Sequence, residues 1–221
     1  MTYTAIIGDI INSRGSSDRF FLQKKLQDIL DSINDEYCNV IKSNFVITLG
    51  DEFQGLLIRP DDAVKIIKKI QAELYPVKIR FGVGIGQITT QINTNAAFGS
   101  DGPAYYFARE ELEKVKKTEK SRGHVKTDIM ISCGEESLMM RSLNNHLSIL
   151  HLIESGWSQN QRQAISEYEK HEDSHKSISM RLKTAQSTIT RRLNSGHYFD
   201  YEYTKDTVNQ FLEEIGKKEK I

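Results

Sequence analysis

Three acidic residues near the start of the chain stand where their carboxylates could act together. Asp9 follows Gly8 at the end of a short apolar run, and Asp51 and Glu52 follow Gly50 in the segment ITLGDEFQGLL. If this segment is a hairpin beside the first strand, the carboxylates converge at one edge of a sheet. Converging carboxylates that cannot all find cationic neighbours raise one another's pKa or recruit a divalent cation, for which their hard oxygen atoms favour Mg²⁺ or Mn²⁺. The alternative is that the Asp-Glu pair is simply solvated turn chemistry.

Such a site would suit a substrate that carries phosphates. Divalent ions bind substrate phosphates and neutralise the charge that develops during phosphoryl transfer. Gly8 and Gly50 lack a Cβ atom and would let a polyphosphate approach the backbone. The segment that contains Asn12, Ser13 and Arg14 leads into a helix, whose first amide groups suit phosphate oxygens. Arg14 could add a bidentate contact.

Apolar periodicity predicts the elements that would position these residues. The predicted strands and hairpin cover residues 3–10, 45–58, 77–85 and 128–132. The predicted helices cover residues 16–36, 60–74, 103–117 and 135–154. The resulting order is strand, helix, hairpin, helix, strand, helix, strand, helix. An antiparallel hairpin between crossover helices predicts a mixed sheet with helices packed on it.

Two patterns within this region have competing interpretations. The glycines of RFGVGIGQI are superficially like a dinucleotide-binding fingerprint, but they lie inside an alternating strand and precede no helix, so that interpretation fails. The basic stretch at residues 114–126 could draw an anionic substrate towards the acids, or it could be a solvated helix end and loop.

The last third of the chain has a different character. From residue 155 onward the pattern is helical, so we predict a domain boundary near residues 154–158. The segment ISMRLKTAQSTITRRLNSG resembles a helix-turn-helix, and residues 174–195 contain five Lys or Arg and no acid. We predict that its second helix contacts the base edges and phosphates of double-stranded DNA through Gln186, Ser187, Thr188, Thr190, Arg191 and Arg192.

The alternative for this tail is a small helical bundle used for dimerisation. The terminal helix, residues 208–215, carries an apolar stripe of Phe211, Leu212 and Ile215 that could pair with a second subunit. A homodimer would suit the tail because dimers read two-fold symmetric DNA sites.

Composition narrows the class of protein. The chain has 221 residues, of which 38% are hydrophobic and 27% charged, and 30 Lys and Arg balance 30 Asp and Glu. These values are typical of globular proteins. Because the charges balance, the protein has no overall electrostatic field that would attract nucleic acid or membranes. Cys38 and Cys133 form no metal-binding or disulfide pattern, so we expect two buried thiols. With no signal pattern or long apolar run, we expect a cytoplasmic location and no membrane.

Several segments resemble known families, in order, over roughly the first 135 residues. TLGDEFQGLL is similar to the GGDEF motif of diguanylate cyclases and to the matching hairpin of class III adenylate and guanylate cyclases. RFGVGIGQI resembles the following strand in both, and GPAYYFAREEL resembles a later helix with a basic residue at the position of Arg109. Taken with its C-terminal tail, the chain is most similar to the SatD family of bacterial proteins.

The resemblance implies a fold and a set of site residues. The fold is α/β (α+β): a ferredoxin-like palm domain with a mixed sheet at residues 1–154, then a small all-α helix-turn-helix domain at residues 155–221. Asp9 and Asp51 would bind Mg²⁺ or Mn²⁺, with Glu52 as a third acid of the catalytic site. Arg109 matches the basic residue that contacts the triphosphate. It thereby joins the other predicted phosphate contacts, Asn12, Ser13 and Arg14.

Departures from the cyclase pattern keep three hypotheses open. Tyr105 stands where class III cyclases have asparagine, and Leu49 stands where GGDEF has its first glycine. The first hypothesis is a metal-dependent nucleotidyl cyclase or transferase, in which a nucleotide hydroxyl attacks an α-phosphate and pyrophosphate leaves. The second is a non-catalytic transcriptional regulator whose palm senses a nucleotide. The third is a structural or partner-binding protein. Tyr105 favours the second, and the intact acids favour the first.

Overall fold

The elements of the chain are seen in a computed structural model that describes residues 1–11, 19–121, 125–171 and 174–218. The strands are β1 (Thr2–Ile10), β2 (Ile41–Leu49), β3 (Glu52–Leu57), β4 (Ile79–Gln87) and β5 (Ile129–Ser132). The first four helices are α1 (Arg19–Glu36), α2 (Ala63–Leu74), α3 (Pro103–Lys120) and α4 (Leu138–Ser155). The last four are α5 (Gln159–His171), α6 (His175–Arg181), α7 (Gln186–Ser195) and α8 (Tyr198–Lys218).

The five strands form one mixed sheet in the order β2-β3-β1-β4-β5. Neighbouring strands are antiparallel in the first four, and β5 runs parallel to β4. A parallel pair requires a crossover, and α3 supplies it between β4 and β5. The run from β1 to β4 is a βαββαβ unit with the ferredoxin-like strand order. The predicted mixed α/β fold is therefore confirmed.

The two faces of the sheet carry different layers. On one face, α1, α2 and α4 enclose the main core with alternate strand residues such as Ile6, Phe53 and Phe81. On the other face, α3 lies on an apolar strip from β1 and β3 that includes Ile7 and Leu56. Because strand side chains alternate between faces, odd-numbered residues of β1 point towards α3.

Glycines in β4 allow α3 to lie directly on the sheet. A Cβ atom on Gly82 would sit 2.0 Å from the backbone oxygen of Ala108, and one on Gly84 would sit 2.0 Å from that of Ala104. Both distances are far below van der Waals contact. The alternating glycines of RFGVGIGQI thus have a packing role, which fits the rejection of the dinucleotide interpretation.

The C-terminal helices divide between two cores. Helices α5, α6 and α7 surround a small core that contains Ile178, Ile189 and Leu193, and the first residue of α8, Tyr198, also belongs to it. Further along, helix α8 contributes Val208, Leu212 and Ile215 to the main core together with residues of α4. Because Leu212 and Ile215 are buried within their own chain, this stripe does not face a second subunit, and that part of the dimer hypothesis is wrong.

Two further expectations concern the cysteines and the membrane. Cys38 is exposed and Cys133 is half-buried, and both thiols are free, so the expected burial is wrong. Among the helices that the structure describes, none is long and apolar enough to cross a bilayer.

Candidate functional site

The end of β1 lies beside the tip of the β2–β3 hairpin. In the antiparallel register, Asp9 of β1 is directly opposite Glu52 of β3. Directly opposed residues point to the same face, with Cβ atoms about 5 Å apart. The backbone N–H of Ile10 also donates to the carbonyl of Asp51 at 3.1 Å. The structure therefore brings Asp9 together with the acidic hairpin tip, and its direct partner there is Glu52.

The hairpin tip is a two-residue turn that α1 holds in place. Gly50 has a φ of +65° at the first central position, which a type II′ turn reserves for glycine. The amide of Gln23 donates to the carbonyl of Gly50 at 2.5 Å. The guanidinium of Arg19 lies 2.7 Å from where a Cβ atom of Gly50 would be. Gly50 is thus required by the turn, and Arg19 occupies the space that the sequence pattern assigns to a polyphosphate.

The predicted role of Gly8 is wrong for a related reason. A Cβ atom on Gly8 would sit 2.3 Å from the tip of the Phe53 ring. Gly8 has an even number in β1, so it points away from α3 and into the main core. Its missing side chain accommodates an aromatic ring and does not provide access for a phosphate.

Basic side chains from β4 and α3 contact both carboxylates of the opposed pair. Asp9 accepts a hydrogen bond from Arg80 at 2.9 Å and lies 3.4 Å from the Nζ atom of Lys116. Arg80 also binds Glu119, at 2.5 Å. Glu52 accepts a hydrogen bond from Arg109, whose side chain is 47% exposed. We call this set of acids and bases the hairpin site.

The sequence interpretation found Arg109, included Lys116 only as part of the basic stretch at residues 114–126, and missed Arg80. Arg80 lies on the same side of β4 as the glycines that face α3, since its number has the same parity. Lys116 is seven residues beyond Arg109, which places both on one side of α3. The basic stretch that contains Lys116 therefore does reach Asp9. This contact could be recognised only once the packing of α3 on β4 was known.

Other predicted residues lie outside the contacts of the opposed pair. Asn12, Ser13 and Arg14 lie outside the described residues, so their phosphate contacts stay predictions. Asp51 is half-buried in the turn between β2 and β3. Tyr105 is 6% exposed in the apolar strip under α3, and its hydroxyl has no hydrogen-bond partner in the described chain. Burial raises the pKa of Tyr105 above its usual range.

The donor set of the hairpin site fits a magnesium-like ion that is bound together with a ligand. Within the described ranges, no group of three or more His, Cys, Asp or Glu residues could hold a metal by itself. Mg²⁺ rarely uses an all-protein cage and is usually held by one or two carboxylates plus phosphates and water. The carboxylates of the opposed residues Asp9 and Glu52 suit that arrangement, with Asp51 adjacent in the turn.

Comparison with known proteins identifies the family of the chain. A model of the SatD family matches residues 3–212. The chain belongs to the SatD family. No curated protein matches this SatD chain.

Solved structures similar to the SatD chain include three nucleotide-cyclase and GGDEF proteins. The guanylyl cyclase domain of the RhoGC fusion protein from the fungus Blastocladiella emersonii is 22% identical, with a TM-score of 0.41, covering 51% of this chain and 73% of that one. A bacterial light-regulated adenylyl cyclase is 13% identical, with a TM-score of 0.42 and coverages of 59% and 75%. An EAL/GGDEF domain protein from M. capsulatus is 14% identical, with a TM-score of 0.39 and coverages of 59% and 84%.

In the SatD chain, α6 and α7 form the two helices of the predicted helix-turn-helix. The turn between them includes Lys183 at a φ of +49°. Ser187 and Arg191 of α7 are exposed, and they line a shallow concavity of about 520 Å³ with Thr190, Asn194 and Ser195. Thr190 is also hydrogen-bonded to His175 at 2.9 Å. In the described part of the chain, no carboxylate pairs with Arg191 or Arg192.

A second group of charges lies where the helical tail meets the sheet. Lys68 of α2 binds Glu154 of α4 at 2.6 Å. Asp128, just before β5, accepts a hydrogen bond from Gln71 at 2.6 Å and lies 3.3 Å from His151. We call these five residues the junction network. They connect α2, α4 and the start of β5, beside the C-terminal helix α8.

Groups from several elements shift two pKa values of the junction network. Burial alone would lower the pKa of Lys68, but Tyr201, Asp128 and Glu154 raise it above its usual range. Burial alone would raise the pKa of Asp128, but Lys68, His151 and Gln71 hold it well below its usual range. The charged forms of both side chains are therefore favoured by the fold.

Proposed function

We propose that this SatD protein binds a nucleoside triphosphate together with Mg²⁺ or Mn²⁺ at the hairpin site. Asp9, Asp51 and Glu52 are the carboxylates that would hold the ion, and Arg109 would contact the phosphates. The observation that supports this proposal is the direct opposition of Asp9 and Glu52 on neighbouring strands, on the face that α3 covers with basic side chains. Carboxylates and bases at one place suit a metal–polyphosphate ligand.

The reaction class that fits this site is nucleotidyl transfer, as in a cyclase or transferase. A hydroxyl would attack an α-phosphate, the bond to pyrophosphate would break, and the hydroxyl proton would go to a base or to water. A divalent ion bound there would neutralise charge on the phosphates. Arg109 and Lys116 would bind phosphate oxygens, and Arg80 would hold the Asp9 carboxylate in place through its contacts on both sides. Asn12, Ser13 and Arg14 complete the predicted phosphate contacts.

A nucleotide sensor without turnover is the second candidate, and Tyr105 favours it. Class III cyclases have an asparagine at the corresponding position, whereas Tyr105 is buried in the apolar strip between α3 and the sheet. A buried phenol ring cannot supply the amide group that the cyclases carry there. In this candidate, nucleotide binding at the hairpin site alters the activity of the tail.

A nucleotide panel separates the two candidates. The wild-type protein is titrated with ATP, GTP, CTP and UTP in the presence of Mg²⁺ or Mn²⁺, while thermal shift and pyrophosphate release are followed. A ligand-dependent rise in Tm with release indicates an enzyme, and a rise without release indicates a sensor. Asp9→Asn and Asp51→Asn should each abolish the rise, whereas Asp28→Asn on the exposed side of α1 should retain it. No shift of the wild type with any nucleotide and ion would overturn the proposal.

For the tail we propose double-stranded DNA as the partner, contacted by Gln186, Ser187, Thr188, Thr190, Arg191 and Arg192. Support comes from the two-helix arrangement of α6 and α7 and from the exposed basic end of α7. The alternative is that α5–α7 form a dimerisation bundle. A homodimer and a cytoplasmic location remain predictions, and light scattering would measure the former.

Salt-dependent binding tests the DNA proposal. Replacing Arg191 and Arg192 together by alanine should weaken binding to a fluorescent mixed-sequence duplex. It should also reduce the slope of log K against log salt by about 0.9 for each phosphate that is no longer neutralised. The matched control replaces two exposed neighbouring lysines of α1, Lys24 and Lys25, by alanine. Equal affinity and slope in the wild type and the arginine variant would overturn the DNA proposal.

A further inference from the structure

The bases of the hairpin site occupy the carboxylate oxygens that a divalent ion would use. Arg109 binds Glu52, and both Arg80 and Lys116 contact Asp9. The three bases are held differently. Arg80 is 15% exposed and bound on both sides, by Asp9 and Glu119. Arg109 is 47% exposed and is bound by Glu52. Arg109 is therefore the base that can leave its carboxylate most easily.

Lys116 is held less firmly than Arg80 and more firmly than Arg109. Its Nζ atom lies 3.4 Å from Asp9 and 3.1 Å from Glu113 of its own helix, whose side chain is 50% exposed. Because the ammonium already contacts Glu113, a small side-chain rotation would release Asp9 and leave the ammonium with Glu113 or with an incoming anion. Two of the three bases can thus exchange partners while the backbone stays in place, and Arg80 remains to orient Asp9.

Neither half of a metal–phosphate ligand satisfies this arrangement by itself. A divalent ion alone must displace Arg109 from Glu52 and would leave that guanidinium next to a doubly charged cation. A polyphosphate alone draws Arg109 and Lys116 away and leaves the carboxylates without their partners, beside further negative charge. The two together satisfy every group, because the carboxylates bind the ion and the bases bind the phosphates.

We propose that the hairpin site is a partner-exchange site, in which Arg109 and Lys116 block the carboxylates until a polyphosphate takes them. This inference rests on the proposed function and adds competition between these two bases and the metal, and with it a binding order. Metal and triphosphate bind with positive cooperativity, and coupling of this kind typically amounts to about 5–150-fold in affinity. The metal alone is a poor ligand because the protein's own bases compete with it.

The test uses one substitution that should change two binding affinities in opposite directions. Arg109→Met removes the competing charge but retains the length of the side chain. Calorimetric titration with Mn²⁺ alone should show affinity at least about 5-fold tighter than that of the wild type, the lower end of typical coupling. Titration with preformed Mn²⁺–GTP and Mn²⁺–ATP should show weaker affinity than in the wild type. Lys117→Met, on the exposed side of the same helix, should leave both titrations unchanged.

If Arg109 had only a structural role, the two affinities would not change in opposite directions, because damage to the site weakens the binding of both ligands. Affinity for Mn²⁺ alone that is equal or weaker in Arg109→Met overturns the exchange proposal, even if the wild type binds Mn²⁺–GTP. If neither Mn²⁺–GTP nor Mn²⁺–ATP binds the wild type, the proposed function fails for these nucleotides and the phosphate roles of Arg109 and Lys116 fail with it. If Arg109→Met binds Mn²⁺ alone more tightly than the wild type and binds Mn²⁺–nucleotide more weakly, both the exchange proposal and the proposed function are supported.

Discussion

The hairpin site and the junction network contain the same kinds of group, carboxylates paired with bases, but differ in how they are enclosed. At the hairpin site, Arg109 is 47% exposed in its pair with Glu52, and Glu119 is 40% exposed in its pair with Arg80, so water reaches one side of these two pairs, whereas Asp9 and Arg80 are each 15% exposed. At the junction, Lys68 and Glu154 are 12% and 21% exposed and are surrounded by groups from α2, α4 and α8. Exposed pairs can exchange partners, whereas buried pairs hold elements together because removal of one partner leaves an uncompensated charge.

The largest effect should come from breaking the junction pair. Lys68→Met removes the base that Glu154 binds, and it also removes a positive charge that lowers the pKa of Asp128. Removing one member of a buried pair costs about 3–5 kcal/mol. We expect the free energy of unfolding in urea to fall by that amount.

A neighbouring lysine provides the matched control. Lys69→Met removes the same side chain from the same helix, but Lys69 pairs with Glu36 at the surface, where the two side chains are 31% and 47% exposed. Such pairs contribute about 0–1 kcal/mol. Equal losses in the two variants would show that the junction is not more strongly coupled than an ordinary surface pair.

Acid should weaken the junction by a smaller amount. The pKa of Asp128 is lower in the folded protein than its unfolded value of about 3.9. Its stabilising effect is therefore complete above that value and is lost as the pH falls through the lower, folded pKa. The difference in unfolding free energy between wild type and Asp128→Asn should be largest near pH 6 and should narrow below pH 4. A constant difference from pH 6 to pH 2.5 would contradict the assignment.

The position of α3 determines the hairpin site, because this helix carries Arg109 and Lys116. Gly84→Ala would place a Cβ atom 2.0 Å from the Ala104 backbone oxygen and push the helix off β4. Overpacking of this kind costs about 1–3 kcal/mol. We expect that loss of stability, measured in urea, together with weaker Mn²⁺–nucleotide binding. Gly156→Ala is the control, since its Cβ atom would have 3.4 Å to the nearest atom; equal effects would exclude a special role for β4.

The contrast between the two regions also explains what could be predicted from sequence. Strand alternation and the acidic hairpin were enough to predict the sheet and to bring Asp9 near the hairpin tip. Local patterns say nothing about which helix covers which face, so the contacts of Arg80 and Lys116 with Asp9 were missed. Gly8 was misassigned because nothing in the sequence indicates that the Phe53 ring fills its place.

The junction network was missed entirely for a similar reason. Its members come from α2, α4 and the start of β5, and each looks like an ordinary polar or charged residue on or beside an amphipathic element. The apolar stripe of α8 was correct as a pattern, but sequence periodicity could not distinguish burial against α4 from burial against a second subunit. Only the tertiary path of α8 decides between them.

The smallest effect should be the coupling between Arg109 and Glu52, and it sharpens the comparison most directly. A double-mutant cycle with Arg109→Met and Glu52→Gln isolates the energy of this pair from other consequences of each change. Because water reaches the guanidinium, we expect a coupling energy in the unfolding reaction of about 1 kcal/mol or less. The same cycle with Lys68→Met and Glu154→Gln should give a value several times larger. If the hairpin pair is as strongly coupled as the junction pair, Arg109 cannot release Glu52 at low cost. The hairpin site would then be a second structural clamp.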